Sequence, residues 1–299
     1  MSDGAGKTVI SLATATPGGG FPLYGGVIAE TLNGVDPALH IETRNTKGST
    51  ENILLLDRGE VDLGLVQGEV AYEAFEGIGR DKTEAKIVAA MYSTAGMFVV
   101  RADSAFHSIT DLVGQPVAFG ARGSGLVLLA RYVLDGLNLD MEKHFQAIYL
   151  DRAGDGPAMV MDGRAAALWG GGVGWPGFSA VAHGPAGARF IVPDAEEIAQ
   201  IVEKHPFLRP LTVAGETYRG QEAPLNSVGS WSFIMARPDL PEETGYRLAH
   251  ALHQAETALP ERLPQALETT AINTAAAAPD PELIHRGVYR YLEEIGEVF

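Results

Sequence analysis

TATPGGGFPLYGGVIAETL, residues 14–32, is the stretch on which the fold turns. The run TVISLAT before it has the β-branched, apolar make-up of a strand, and Gly18 to Gly20 form a turn. Tyr24, Val27, Ile28 and Leu32 then recur at helical spacing, with Asn33-Gly34 as the expected stop. The reading is strand, glycine turn, helix. Such turns often hold phosphates, yet a dinucleotide fingerprint starting at Gly18 meets Leu23 where its third glycine belongs. A P-loop fails as well, because Gly25-Gly26 leads to Val27 and not to Lys-Ser/Thr. What survives is simpler physics: free N–H groups at a helix N-terminus beside glycines suit a small anion, although the glycines also serve for a tight turn alone.

The same unit repeats outward from this stretch. HIETRNT reads as a second strand, Ser49 or Thr50 as the cap of a helix ending at Arg58-Gly59, and VDLGLVQ as a third strand. GEVAYEAFEG is a helix, followed by two separate apolar runs, KIVAAMY and MFVVR. The opening theme returns in PVAFG, the turn ARGSG and a helix carrying Leu126, Leu129, Ala130, Val133, Leu134 and Leu137. AIYLD, AALWGGG and RFIVP continue the second set, and NSVGSWSFIMAR leads back before helices over 241–259 and 281–296. The expected class is α/β with two lobes: residues 1–98 plus 232–299 as lobe one and 99–231 as lobe two, hinged near 99–102 and 227–232.

Composition narrows the function. The 299 residues are 46% hydrophobic and 20% charged, an ordinary globular balance with enough chain for two cores. A net charge of -16 with no basic run longer than a pair excludes a phosphate-backbone footprint, so nucleic acid is not an expected partner. No cysteine is present, which removes disulfides, thiolate metal sites and thiol nucleophiles and is compatible with an oxidising compartment. The most apolar run, GLVLLARYVLDGL, is broken by Arg131 and Asp135, well short of the roughly 18 residues of a membrane span. MSDGAGK lacks the basic and apolar regions of a signal peptide, leaving either a cytosolic protein or an exported one whose signal has been removed.

Catalytic templates do not fit. Ser179 in GFSAV and Ser124 in RGSGL lack the frame of a nucleophile elbow. His250, His253 and Glu256 share one helical face, which reads as a solvated face and gives no metal site. Asp62, Glu69, Asp151 and Asp155 form no acid/base pair by spacing. No cofactor is expected.

GGGFPLYGGVIAETLN, TKGSTENILLLDRGEVDLGLVQGEVAY and FGARGSGLVLLARYVLDGL, with ALWGGGVGWP and GETYRGQEAPLNSVG behind them, resemble the TAXI family of substrate-binding proteins that serve TRAP transporters. The similarity runs from about Thr8 to Gly296. It implies a two-lobed type II periplasmic-binding-protein fold with a hinged central cleft, and delivery of a small organic or amino acid to a TRAP membrane permease. It also implies a periplasmic location. Carried over, Gly20, Phe21 and Tyr24 lie in the first ligand turn, Ser49 and Asn52 at the second helix start, and Gln67 at a strand end; Arg122, Ser124 and Gly125 form the opposing wall. Each also has a structural reading: Ser49 as N-cap, Tyr24 and Phe21 as core or staple, Asn52 as a backbone partner, Gln67 as a strand terminator. Arg44 lines the cleft or makes a surface pair, and Trp175 is an apolar wall or a packing residue.

The chain departs from the family where Gly-Ala-Pro-Gly-Ser-Gly is replaced by Gly120-Ala121-Arg122-Gly123-Ser124-Gly125, and where Gln67-Gly68-Glu69 stands for Gln-Ser-Asp. A guanidinium beside a turn that already suits one carboxylate points to a ligand with a second one, such as 2-oxoglutarate or glutamate, unless Arg122 merely pairs on the surface. The expected function is a solute receptor that closes on its ligand and docks on a permease. An α/β enzyme acting on a small carboxylate and a ligand-sensing module for a membrane-bound sensor are the alternatives.

Overall fold

The computed structural model describes residues 8–298. Its strands are β1 (Thr8–Ala13), β2 (Leu39–Arg44), β3 (Leu63–Gln67), β4 (Lys86–Arg101), β5 (Pro116–Ala121), β6 (Gln146–Leu150), β7 (Ala167–Gly171), β8 (Ala188–Ile191), β9 (Arg209–Val213) and β10 (Leu225–Ala236). The helices that matter to the site are α1 (Gly20–Val35), α2 (Ser49–Asp57), α3 (Gly68–Glu76), α4 (Gly125–Gly136) and α5 (Met141–His144). The chain divides into two compact units. Unit one takes the residues up to Ala15, Phe21–Tyr92 and those from Trp231 onward; unit two takes Thr16–Gly20 and Ser93–Ser230.

In unit one the strand order is β2-β1-β3-β10, with β1 parallel to both β2 and β3 and β10 antiparallel to β3. The helical spacing read in residues 24–32 becomes the buried face of α1: Tyr24, Ile28 and Leu32 are all at most 1% exposed and pack with Ile10, Leu12 and Leu65. Burial of this kind stabilises by roughly 1.5–3 kcal/mol per large apolar side chain. Gly25 is needed for the close approach, since a Cβ there would stand 2.6 Å from the Thr14 methyl group. In unit two the order is β4-β7-β5-β6, with β5 parallel to β6 and β7 and with β8 antiparallel to β4. Its cores gather around Phe98, Phe119 and Trp169 and around Trp175, Phe178 and Val181.

Three sequence expectations change. The runs KIVAAMY and MFVVR are one strand, β4, because the residues between them stay extended and apart from Ser93 are buried. Helix α1 passes Asn33-Gly34, since the Asn33 side chain does not cap it: it accepts from Ile41 N at 2.7 Å and donates to Ile41 O at 3.1 Å, tying α1 to β2. Residues 281–296 hold a short 3-10 turn, Pro281–Leu283, and then the helix Arg286–Glu294, interrupted where His285 accepts a hydrogen bond from Gly287 N.

Candidate functional site

In a parallel α/β sheet, ligands bind beyond the carboxyl ends of the strands, where successive connections leave in opposite directions. Unit one has that arrangement at β1, because the chain goes from β1 to β2 on one side and then to β3 on the other. The strands end at Ala13, Arg44 and Gln67. Unit two repeats it at β5, flanked by β6 and β7, and β5 ends at Ala121.

At the unit-one edge the polar groups form a connected network. Asn52 is fully buried; its Nδ2 donates to Thr14 O at 2.7 Å and Leu65 O at 2.8 Å, and its Oδ1 accepts from the Thr46 hydroxyl at 2.7 Å. Its hydrogen-bonding capacity is therefore spent on the strand ends. Ser49 is the first residue of α2, not its cap; Gly48 holds the cap position with φ 119°, and the Ser49 hydroxyl accepts from Gln67 N at 3.1 Å. Tyr24 is core: its hydroxyl lies 2.8 Å from Thr269 Oγ1, its ring meets Tyr92 edge-on, and burial pushes its pKa up. Phe21 is half-buried against the same core. Arg44 is exposed, and its carbonyl accepts from Thr14 N at 2.9 Å.

Gln67 differs from these. It is 3% exposed at the end of β3, directly before α3, and its Nε2 has no hydrogen-bond acceptor. A buried donor without a partner costs about 1–3 kcal/mol, so an acceptor from outside the described residues would be favoured there.

At the unit-two edge, a register shift between Ala118 and Gly120 sets Gly120 opposite Tyr149 and Ala121 opposite Leu150. Gly120 has φ +112°, which a residue with a side chain resists. Arg122 leaves the strand there, exposed, with its Cζ 3.9 Å from the centroid of the Tyr149 ring. The Tyr149 hydroxyl donates to the Glu142 carboxylate; burial and that carboxylate push the phenol up to about 12, against the opposing pull of Arg122 and Arg131. Ser124 is the N-cap of α4 and accepts from Leu126 N at 3.2 Å, and Gly125 opens the helix buried. Trp175 is a packing residue: it is 4% exposed, meets Phe178 edge-on at 4.9 Å, and its ring fills the space in front of Gly170 and Gly177. Gly20, the first residue of α1, is buried and belongs with unit two.

The structure thus groups Ser49, Asn52 and Gln67 on one edge and Arg122, Ser124 and Gly125 on another, while Tyr24 and Trp175 sit in cores. Sequence reasoning missed Tyr149 and Glu142, whose roles depend on a strand register that spacing does not reveal. The His250–His253–Glu256 face is not solvated as a whole. His253 Nδ1 lies 2.7 Å from the Tyr291 hydroxyl, and Glu256 accepts from Ala271 N at 2.6 Å. Among the described residues, no group of three or more His, Asp or Glu is arranged to hold a metal, and no helix is long and apolar enough to cross a membrane.

The model of the NMT1-like family matches residues 12–296. The chain belongs to the NMT1-like family. Solved structures place its fold among the periplasmic binding proteins. This NMT1-like chain is similar to MatC from Rhodopseudomonas palustris with bound malate, at a TM-score of 0.60 and 14% identity over 96% of this chain and 95% of that one. It is similar to the periplasmic binding protein BugD at 0.60 and 12% identity, covering 97% and 95%. The periplasmic aliphatic sulphonate binding protein SsuA from Escherichia coli follows at 0.51 and 16% identity, covering 96% and 84%. At such identities the likeness concerns the α/β fold of the NMT1-like chain.

Proposed function

We propose that this NMT1-like protein is a periplasmic solute receptor of the TAXI type, which captures a small organic acid by closure of its two lobes and delivers it to a TRAP permease. The observation that carries the reading is the Gln67 amide: a buried donor without an acceptor, at the switch point of a parallel sheet and next to a helix N-terminus. A carboxylate supplies acceptor oxygens for that donor. Arg122, just past the end of β5 in unit two, is a planar two-pronged donor suited to a carboxylate, which is the ground for favouring a dicarboxylate or acidic amino acid as the ligand. MatC, a protein of the same fold, was solved with the dicarboxylate malate. Binding, not turnover, is the expected activity.

Calorimetric titration of mono- and dicarboxylates into wild type, Gln67→Leu, Arg122→Ala and Arg122→Lys tests this. Loss of a charge-assisted contact at Arg122 should weaken the tightest dicarboxylate by about 1.5–3 kcal/mol, on the order of 10- to 100-fold, with Lys recovering part of it. Equal affinities in all four proteins would remove both residues from the site. Product formation from any of these acids would favour the enzyme alternative.

A further inference from the structure

We propose that Tyr149 is a positioning residue for Arg122, and that the stacked pair sets the preference of the site for a ligand with a distal carboxylate. The inference rests on the carboxylate reading above. An exposed arginine ordinarily samples many rotamers, and fixing it on a ligand costs binding free energy. Here the guanidinium already sits over the Tyr149 ring, with Cζ 3.9 Å from its centroid. Stacking uses the face of the guanidinium and leaves its N–H edge free, which is the edge that grips both oxygens of a carboxylate.

The ring is held in turn. Its hydroxyl donates to Glu142, whose own helix α5 is fixed by Asp140, which accepts from Glu142 N at 2.9 Å and Lys143 N at 3.0 Å. From below, the β5 bulge with Gly120 at φ +112° sets the strand so that residue 122 emerges beside Tyr149. Three separate features of unit two therefore converge on one guanidinium. A bare surface arginine would need none of them.

The test compares malate with lactate, which lacks only the distal carboxylate of malate, in wild type, Arg122→Ala, Tyr149→Leu, Tyr149→Phe and the Arg122→Ala/Tyr149→Leu double variant. The malate-to-lactate affinity ratio should fall about three- to ten-fold in Tyr149→Leu, from the rotamer freedom restored to Arg122. It should fall further in Arg122→Ala, and no further in the double variant. Tyr149→Phe keeps the aromatic face and should recover most of the ratio, while lactate affinity stays level throughout; general damage to the fold would lower both acids together and overturn the proposal. A ratio that falls in Arg122→Ala but is unchanged in Tyr149→Leu overturns the positioning role and leaves the carboxylate reading standing. A ratio indifferent to Arg122→Ala overturns both.

Discussion

Asn52 donates through Nδ2 to the carbonyl of Thr14 at 2.7 Å, and the second proton of the same nitrogen reaches Leu65 O at 2.8 Å. One side chain thereby ties the residue after β1 to the middle of β3, near the edge proposed to receive the ligand. Asn52→Leu would remove the amide donor from both carbonyls, leaving Thr14 O only the Thr46 hydroxyl at 3.2 Å, at about 1–3 kcal/mol for each group left short of a partner. Urea unfolding should show unit one destabilised by roughly 2–4 kcal/mol, and Asn52→Asp should be worse because it sets a negative charge against two carbonyl oxygens. A loss in Asn52→Leu under about 1 kcal/mol would mean that water replaces the amide freely.

His285 makes stability depend on pH. The ring is 4% exposed; Nε2 lies 2.9 Å from Leu240 O, and Nδ1 accepts from Gly287 N at 3.2 Å, which requires the neutral ring protonated at Nε2. Burial pulls its pKa below the usual histidine value, against the hydrogen bond to Leu240 and the charge of Glu242, with Lys86 pulling the same way as burial. The unfolded chain therefore binds a proton more readily than the folded one. The contribution is complete above the unfolded pKa of about 6.5 and is lost as pH falls from there through the folded value. Denaturation midpoints between pH 7.5 and 5 should fall in wild type and less steeply in His285→Asn.

The glycines around Trp175 are packing requirements. A Cβ on Gly177 would stand 2.3 Å from the Trp175 ring, so Gly177→Ala should destabilise unit two by about 1–3 kcal/mol through overpacking. Gly26 is the opposite case, with nothing within 4 Å of the same added atom in the middle of α1. Gly26→Ala should stabilise by about 0.4–1 kcal/mol. Equal effects of the two substitutions would contradict the packing described for Trp175.

Lobe closure, as proposed, predicts a smaller radius of gyration by small-angle scattering at ligand saturation than without ligand. Affinity should survive exhaustive dialysis against a chelator. An unchanged radius would speak against a clamp, and binding abolished by chelation would require a metal that no residue was assigned to hold.

The α/β units were legible in the sequence because they rest on short-range rules: the glycine turn after Ala13, the apolar spacing of Tyr24, Ile28 and Leu32, and the repeat of that theme at PVAFGARGSG. Which of the polar residues are already satisfied was not legible. Asn52, read at a helix start, and Gln67, read at a strand end, were both ligand candidates, and only the fold shows that one is consumed by Thr14 and Leu65 while the other keeps an unpaired donor. Tyr149 carried no signal, since its meeting with Arg122 depends on a bulge one strand away. The joined strand β4 was missed because the apolar runs on either side of Ser93 and Thr94 read as separate, whereas both residues stay extended within one strand.

The interleaving of the two units also fixes an order of events during synthesis. The first segment of unit one precedes unit two, yet β10 and the helices Glu242–Ala255 and Arg286–Glu294, which supply Ile234, Leu248, Val288 and Leu292 to its core, are translated after it. Ribosomes that add about 5–20 residues per second leave residues 8–92 waiting on the order of ten seconds while 93–230 emerge. Unit two, almost continuous in sequence, has its partners on hand as it appears. The nascent chain thus carries an unfinished first segment ahead of a finished unit two, a state in which a holding chaperone has time to act.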